Sequence, residues 1–383
     1  MRVCLAAQLA GGVGVYSQTL LRAITTADPT VRVHLVTPDP IPDDLSDRIT
    51  VHPVAHAGKL PTHPGWLLQA VAFRRAIRPL LWDVDVIHFT DARHALFSTS
   101  LGKPVVGTMN DYFYATVTWR PGSVSRLYRD WPARYLLYHL ARTGERRALR
   151  RLSQVIAISD AVAQIVGRIY HVPADRFTTV RYGLDFSAIP PNDGVIGSVP
   201  TILFVGGNFQ RKGLLILLQA LPAVLTHLPD ARLAVIGRSH YSGGARRLAQ
   251  RLGVLDKCDF LGAVSHRQLP GYYASASVLA MPSLMEAFGI PYLEAMSCGL
   301  PVVATGCEGP DEYLLHEQNA LVAAPGDAAG LAEALIRLLT DQSLRNRLRA
   351  GGKETACRFT PARMANETLA VYRHVVAARA APG

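Results

Sequence analysis

Cysteine is scarce in this chain, with five among 383 residues. Cys4, Cys258, Cys298, Cys307 and Cys357 are odd in number, scattered, and in no metal-ligand spacing. That argues against a disulfide framework or a structural zinc site, and for ordinary buried thiols in a reducing cytoplasm. Long apolar runs are missing as well. None approaches the roughly 18–20 residues that a membrane-spanning helix requires. No signal peptide precedes the first elements, because Met1-Arg2-Val3-Cys4-Leu5 already reads as a buried strand running into a glycine turn. The thirteen histidines show no ligand spacing, so no metal is expected. Acids are short against bases, 29 to 40, for a net charge of +11. Such a surplus fits nucleic acid, an anionic membrane or an anionic substrate. No nucleic-acid recognition motif accompanies it.

What the chain does have is apolar content, 49% against 18% charged, as in a well-buried enzyme. Its length is about twice that of one α/β domain, which predicts two cores. Short apolar runs alternate with helical stretches, the pattern of parallel sheets wrapped by helices. The first half predicts strands at Val3–Ala7, Val31–Thr37, Val84–Phe89, Pro104–Thr108, Gln154–Ile158 and Thr178–Val180. The segment Ile189–Pro200 is rich in proline and glycine and reads as a linker, centred on residues 191–200. The pattern restarts with Ile202–Val205, Leu233–Ile236, Phe260–Leu261, Val278–Met281, Val302–Thr305 and Leu321–Ala323. Two doubly wound domains follow, residues 1–190 and 201–360. Ligands in such sheets bind beyond the carboxyl ends of the strands, so a cleft between the domains is the expected site.

Three segments carry the chemistry. In Pro282–Met296 a strand ends, a glycine loop follows, and Pro291 stands at a helix start. The amides near Gly289–Leu293 then form an anion site at a helix N-terminus. Glu286 and Glu294 flank it, eight residues apart. A carboxylate in the first helical turn can chelate ribose hydroxyls, and one on the preceding loop can grip a hexose. Spacing alone leaves open that Glu294 only complements the helix dipole and that Glu286 is solvated. In Phe204–Gly213 a glycine-rich turn stands beside Arg211 and Lys212, suited to a diphosphate whose charge grows as a bond to it breaks. Ala10-Gly11-Gly12-Val13-Gly14 offers glycines for close backbone approach. It lacks the full G-x-G-x-x-G fingerprint with its later acid, which removes the support for a dehydrogenase.

These stretches, with Gln268–Ala276, Pro282–Ala304 and the weaker Gly309–Glu312 and Asn319–Val322, resemble family 4 of the retaining glycosyltransferases. The likeness runs along nearly the whole chain and is strong in its second half. It implies an α/β fold of the GT-B type, two Rossmann-like doubly wound domains facing a central cleft. It also implies that the terminal segment 361–383 crosses back to the first, acceptor-side domain. By the resemblance, Glu286 with the amides of Phe288, Gly289, Ile290 and Pro291 would hold the donor sugar and diphosphate. Glu294 would bind the ribose, and Arg211 and Lys212 would stabilise the leaving diphosphate. Gly12 and Gly14 would approach phosphates or acceptor. The implied substrates are a nucleotide diphosphate sugar, either a UDP-sugar or GDP-mannose, and a hydroxyl acceptor, lipid-linked or saccharide. No cofactor and no divalent metal are implied.

The chain departs from the family pattern at three places. Gly207 stands where many members carry arginine, so Arg211 must supply that charge. Arg181-Tyr182-Gly183-Leu184-Asp185 replaces the common Pro-Asn-Gly-Val-Asp. Asn110, in Thr108-Met109-Asn110-Asp111, takes the place of a histidine that often contacts the donor sugar; it can hydrogen-bond but carries no proton at neutral pH. His88, at a strand's carboxyl end, is either a cleft residue or a satisfied structural histidine. Between Arg120 and Arg151 nine arginines interleave with aromatics against Asp130 and Glu145. This segment suits either an anionic membrane surface or a helix whose aromatics pack on the first sheet. The expected location is cytoplasmic, with peripheral contact at the inner membrane face. A nucleotide-sugar epimerase of the same architecture is the rival enzyme class. It would need acid and base groups beyond the two glutamates.

Overall fold

A computed structural model describes residues 1–9, 11–41, 47–55, 65–116, 132–195, 199–239, 241–265 and 267–380. The chain divides into two compact units, Met1–Leu184 with Phe359–Gly383, and Asp185–Arg358.

The first unit is built on β1 (Arg2–Ala6), β2 (Arg32–Thr37), β3 (Ile49–Pro53), β4 (Val86–Phe89), β5 (Val105–Met109), β6 (Gln154–Ala157) and β7 (Phe177–Thr179). All pair in parallel in the order β3-β2-β1-β4-β5-β6-β7. Strand β4 is buried at every residue, as expected when helices cover both faces of a parallel sheet. The sequence reading passes over β3. That strand pairs only with β2 and none of its residues is fully buried, so an edge strand carrying His52 and ending at Pro53 lacks the apolar run that marks its neighbours.

The second unit holds β8 (Thr201–Val205), β9 (Arg232–Ile236), β10 (Cys258–Gly262), β11 (Val278–Met281), β12 (Val302–Thr305) and β13 (Leu321–Ala323). They too run parallel, in the order β10-β9-β8-β11-β12-β13. The strand order reverses between β8 and β11. Segments leaving the carboxyl ends of these two strands therefore flank a crevice within the unit.

Two expectations need correction. The glycines after β1 do not form a turn, because a helix already begins at Gly11 and runs Gly11–Ala27. Cys357 is exposed while the other four thiols are buried, so not all five are core thiols.

The terminal helix Pro361–Ala380 belongs to the first unit and packs on the helix Gly11–Ala27. A buried chain of hydrogen bonds ties it to the sheet. His88 Nδ1 lies 2.6 Å from the Tyr372 hydroxyl, and His88 Nε2 lies 2.8 Å from Thr108 Oγ1, which in turn meets the Tyr16 hydroxyl at 3.0 Å. His88 is thus a satisfied structural histidine. Burial pushes its pKa from 6.5 down to about 3, so the ring is neutral in the folded chain. The unfolded chain binds the proton more readily, so this contribution to stability is complete above about pH 6.5 and is lost as the pH falls toward 3, by about 1.4 kcal/mol per unit. We expect urea unfolding at pH 5 to show wild type losing about 2 kcal/mol more than His88→Gln, relative to pH 7. Parallel losses in the two proteins would contradict a neutral buried ring.

Candidate active site

Strand β8 leads into a turn whose backbone admits few side chains. Gly213 has φ +75°, and a Cβ there would lie 1.7 Å from the Pro282 carbonyl oxygen. Glycine is the residue that tolerates both conditions. Asn208, also at positive φ, accepts the Arg211 N–H at its side-chain oxygen (3.2 Å) and the Lys212 N–H at its carbonyl (3.0 Å). The Leu284 N–H then donates to the Arg211 carbonyl at 2.8 Å. The loops leaving β8 and β11 are therefore laced together at the crevice.

Across this lacing Lys212 Nζ and a Glu286 carboxylate oxygen form a direct ion pair. Their side chains are only 11% and 8% exposed, so the pair is largely shielded from solvent screening. Burial by itself pushes the Glu286 carboxyl up, but Lys212, Arg211 and the Phe288 N–H together outweigh it and hold the group below its ordinary value. Glu286 is thus ionised at neutral pH. It can accept hydrogen bonds from hydroxyls and cannot serve as a general acid.

Gly289, at φ +85°, turns the chain into the helix Ile290–Cys298, with Pro291 in its first two positions. Tyr313 donates to the carbonyls of Phe288 and Gly289 at 2.5 and 3.1 Å, and Tyr292 to the Met281 carbonyl at 2.7 Å. Gly309 closes over the loop: its N–H donates to the Glu286 carbonyl at 3.0 Å, and a Cβ would lie 2.0 Å from the Ala287 carbonyl oxygen. The helix start is consequently rigid. Two of the anticipated amides need revision. Pro291 has no N–H to donate, and the Phe288 N–H is turned to the Glu286 carboxylate. Gly289 and Ile290 carry the remaining N–H groups there.

Glu294 is the fifth residue of this helix, one residue further in than the sequence reading placed it and just past the first turn. The dipole's influence fades beyond the first turn, so dipole complementation does not explain this carboxylate. It accepts instead from the Tyr273 hydroxyl at 2.7 Å. Burial, and then Glu294 itself, raise the Tyr273 phenol well above its usual range, which keeps it a donor. Nothing in the sequence marked Tyr273 as the partner, because the contact joins two helices whose pairing no local pattern reveals. Tyr313 and Gly309 were overlooked as anchors for the same reason.

The remaining candidates lie as follows. A Cβ on Gly207 would come within 3.1 Å of the Arg238 carbonyl oxygen, so that glycine sits in tight backbone packing. Gly12 and Gly14 belong to the first turn of the helix Gly11–Ala27, in the first unit. A Cβ on Gly14 would lie 2.5 Å from the Leu9 carbonyl oxygen, a steric reason for glycine that needs no ligand. Asn110, just beyond β5, donates to the Thr90 carbonyl at 2.7 Å and accepts from the Tyr182 hydroxyl at 2.6 Å. The structure therefore joins Arg211, Lys212, Glu286 and Phe288 in one cluster, and puts Asn110, Gly12 and Gly14 in the other unit. Of the basic segment 120–151, residues 120–131 lie outside the described residues; the helix Pro132–Leu149 is seen beyond them.

Two family models match successive parts of the chain, Glycosyltransferase Family 4 over residues 10–188 and Glycosyl transferases group 1 over residues 187–355. A D-inositol 3-phosphate glycosyltransferase of Xylanimonas cellulosilytica is 34% identical over 254 residues, 60% of each chain. A GDP-mannose-dependent alpha-(1-6)-phosphatidylinositol monomannoside mannosyltransferase of Mycobacterium tuberculosis is 32% identical over 166 residues, covering 42% of this chain and 43% of that one. The matches thus span 60% or less of these curated relatives. Among solved structures, the sucrose-phosphate synthase of Thermosynechococcus elongatus superposes with a TM-score of 0.79 at 22% identity, over 99% of this chain and 100% of that one. With both halves matched in sequence and this fold shared from end to end, the chain belongs to the family 4 glycosyltransferases and has their GT-B architecture.

Proposed function

We propose that the protein transfers a hexose from a nucleotide diphosphate sugar, a UDP-sugar or GDP-mannose, to a hydroxyl acceptor with retention of anomeric configuration. The observation that carries this reading is the buried Lys212–Glu286 pair, with Arg211 beside it, next to the helix start at Gly289–Ile290. An ionised carboxylate that already accepts from an ammonium is suited to orient sugar hydroxyls. Arg211 and Lys212 are suited to the charge that develops on a departing diphosphate, aided by the amides of the helix start. Glu294, aligned by Tyr273, is suited to the two hydroxyls of a ribose. These positive groups take the role a divalent metal would have, so the reaction is metal-independent in this reading.

The names of the relatives point to inositol-based and lipid-linked acceptors. The arginine-rich segment 120–151 suits peripheral binding to anionic lipid on the cytoplasmic face of the membrane. Among the described residues no helix is long and apolar enough to cross one. Negligible co-sedimentation with anionic liposomes at low salt would remove this contact.

Donor identity is tested by thermal shift across nucleoside diphosphates and nucleotide sugars. Saturation at about a hundred times the dissociation constant adds roughly 2.7 kcal/mol of stability. Glu294→Ala is expected to abolish the shift given by the preferred donor. An undiminished shift in that variant would defeat the ribose assignment. Acceptor-independent interconversion of free nucleotide sugars would replace transfer with epimerisation.

A further inference from the structure

The first unit contains a cavity of about 270 Å³ lined by Leu149, Arg150, His171, Val172, Pro173 and Arg176. Arg150 precedes β6 and Arg176 immediately precedes β7, so the cavity lies at the amino edge of this sheet. Asn110, by contrast, follows β5 at the carboxyl edge. The cavity is therefore separate from the candidate residues of its own unit.

Its charge is not accounted for by the fold. Two helices, Pro132–Leu149 and Asp160–Tyr170, end there, the second capped by His171 in the left-handed conformation. Each helix end carries about half a negative charge, roughly one in total. Arg150 and Arg176 bring two positive charges and His171 a third when protonated. Three of the last-turn carbonyls are already occupied, since the Arg150 N–H bonds the Arg146 carbonyl, the Leu152 N–H that of Ala148, and the Val172 N–H that of Gly167. Among the described residues neither arginine forms an ion pair, and no acid lines the cavity. One Arg176 terminal nitrogen donates to the Leu152 carbonyl, while its Nε is buried without any acceptor. A buried donor left unpaired costs about 1–3 kcal/mol, so this guanidinium is not fully satisfied by the fold.

We infer that this cavity is a second anion site, one that takes a phosphate monoester or inorganic phosphate between Arg150, His171 and Arg176. A guanidinium fork and a second arginine match the several acceptor oxygens of a phosphate better than those of a carboxylate. The volume leaves room for a small group attached to the phosphate. The phosphate comes either from a soluble metabolite or from a lipid headgroup, and the two sources are separable.

The test titrates inorganic phosphate into the full chain at fixed ionic strength, followed by calorimetry, for wild type, Arg150→Glu, Arg176→Lys and Lys212→Met. Arg150 is exposed, so its replacement leaves the fold intact. Phosphate affinity should fall at least about tenfold in Arg150→Glu and severalfold in Arg176→Lys, which keeps the charge but loses the fork. A phosphate-binding event should persist in Lys212→Met, and nucleoside diphosphate binding should be unchanged in Arg150→Glu. Wild-type phosphate affinity in Arg150→Glu, or no binding to Lys212→Met, overturns the proposal. Phosphatidylcholine vesicles with and without phosphatidic acid distinguish the sources. Retention by phosphatidic acid that Arg150→Glu abolishes and phosphate competes away assigns a headgroup; phosphate binding without such retention assigns a soluble ligand.

Discussion

Lys212→Met should lower kcat by about a hundredfold to a thousandfold while changing donor affinity far less, the loss expected when one donor to a developing negative charge is removed. The ammonium is held against Glu286 before any ligand arrives. Little reorganisation is therefore needed when a diphosphate begins to depart, and the interaction strengthens as negative charge accumulates. The same substitution strips Glu286 of its main counter-charge. Its carboxyl would then rise from its lowered value, because burial is the largest influence on it and Arg211 and the Phe288 N–H are what remain to oppose burial. Removing one member of a buried pair typically destabilises by about 3–5 kcal/mol, less here because both side chains keep some exposure. Lys212→Met with Glu286→Leu separates the two effects. Removing both charges should restore most of the stability and none of the turnover. Wild-type turnover in Lys212→Met would defeat the leaving-group role, and recovery of turnover in the double variant would show that the pair serves only the fold.

Gly213→Ala should destabilise the protein by about 3 kcal/mol or more and abolish donor binding at temperatures where the variant remains folded. The methyl group would strike the Pro282 carbonyl at a backbone angle that side chains rarely adopt. Relief requires the turn after β8 to move away from the loop after β11. That movement breaks the bond from Leu284 to Arg211 and shifts Lys212 relative to Glu286. Gly253→Ala is the matched control, since Gly253 also has positive φ but meets nothing within 4 Å. It should cost only the backbone term, about 1 kcal/mol. Equal losses at the two positions, measured by urea unfolding, would show that contact with Pro282 contributes nothing.

The legibility of the site varied with the range of the interactions involved. Among the described residues the inner strands of both sheets are visible as apolar runs, because parallel strands covered on both faces must be largely apolar. Strand β3 escapes this rule as a half-exposed edge. The helix start at Gly289–Pro291 was readable from glycine and proline, whose backbone preferences act locally. Gly14 shows the limit of such reading. A glycine demanded by a neighbouring carbonyl, here that of Leu9, has the same appearance in sequence as one demanded by a ligand.

Chain order and residue type thus determined two parallel α/β units, their strand ends, and the presence of a glycine turn with Arg211 and Lys212 and a loop with Glu286 and Glu294. Only the tertiary structure decided that Lys212, 74 residues from Glu286, meets it in a buried pair, that this carboxylate stays ionised, and that Tyr273 aligns Glu294. The physical reason is that backbone preference and hydrophobic periodicity act over a few residues. Charge pairing and burial depend instead on which strand ends the sheet brings side by side.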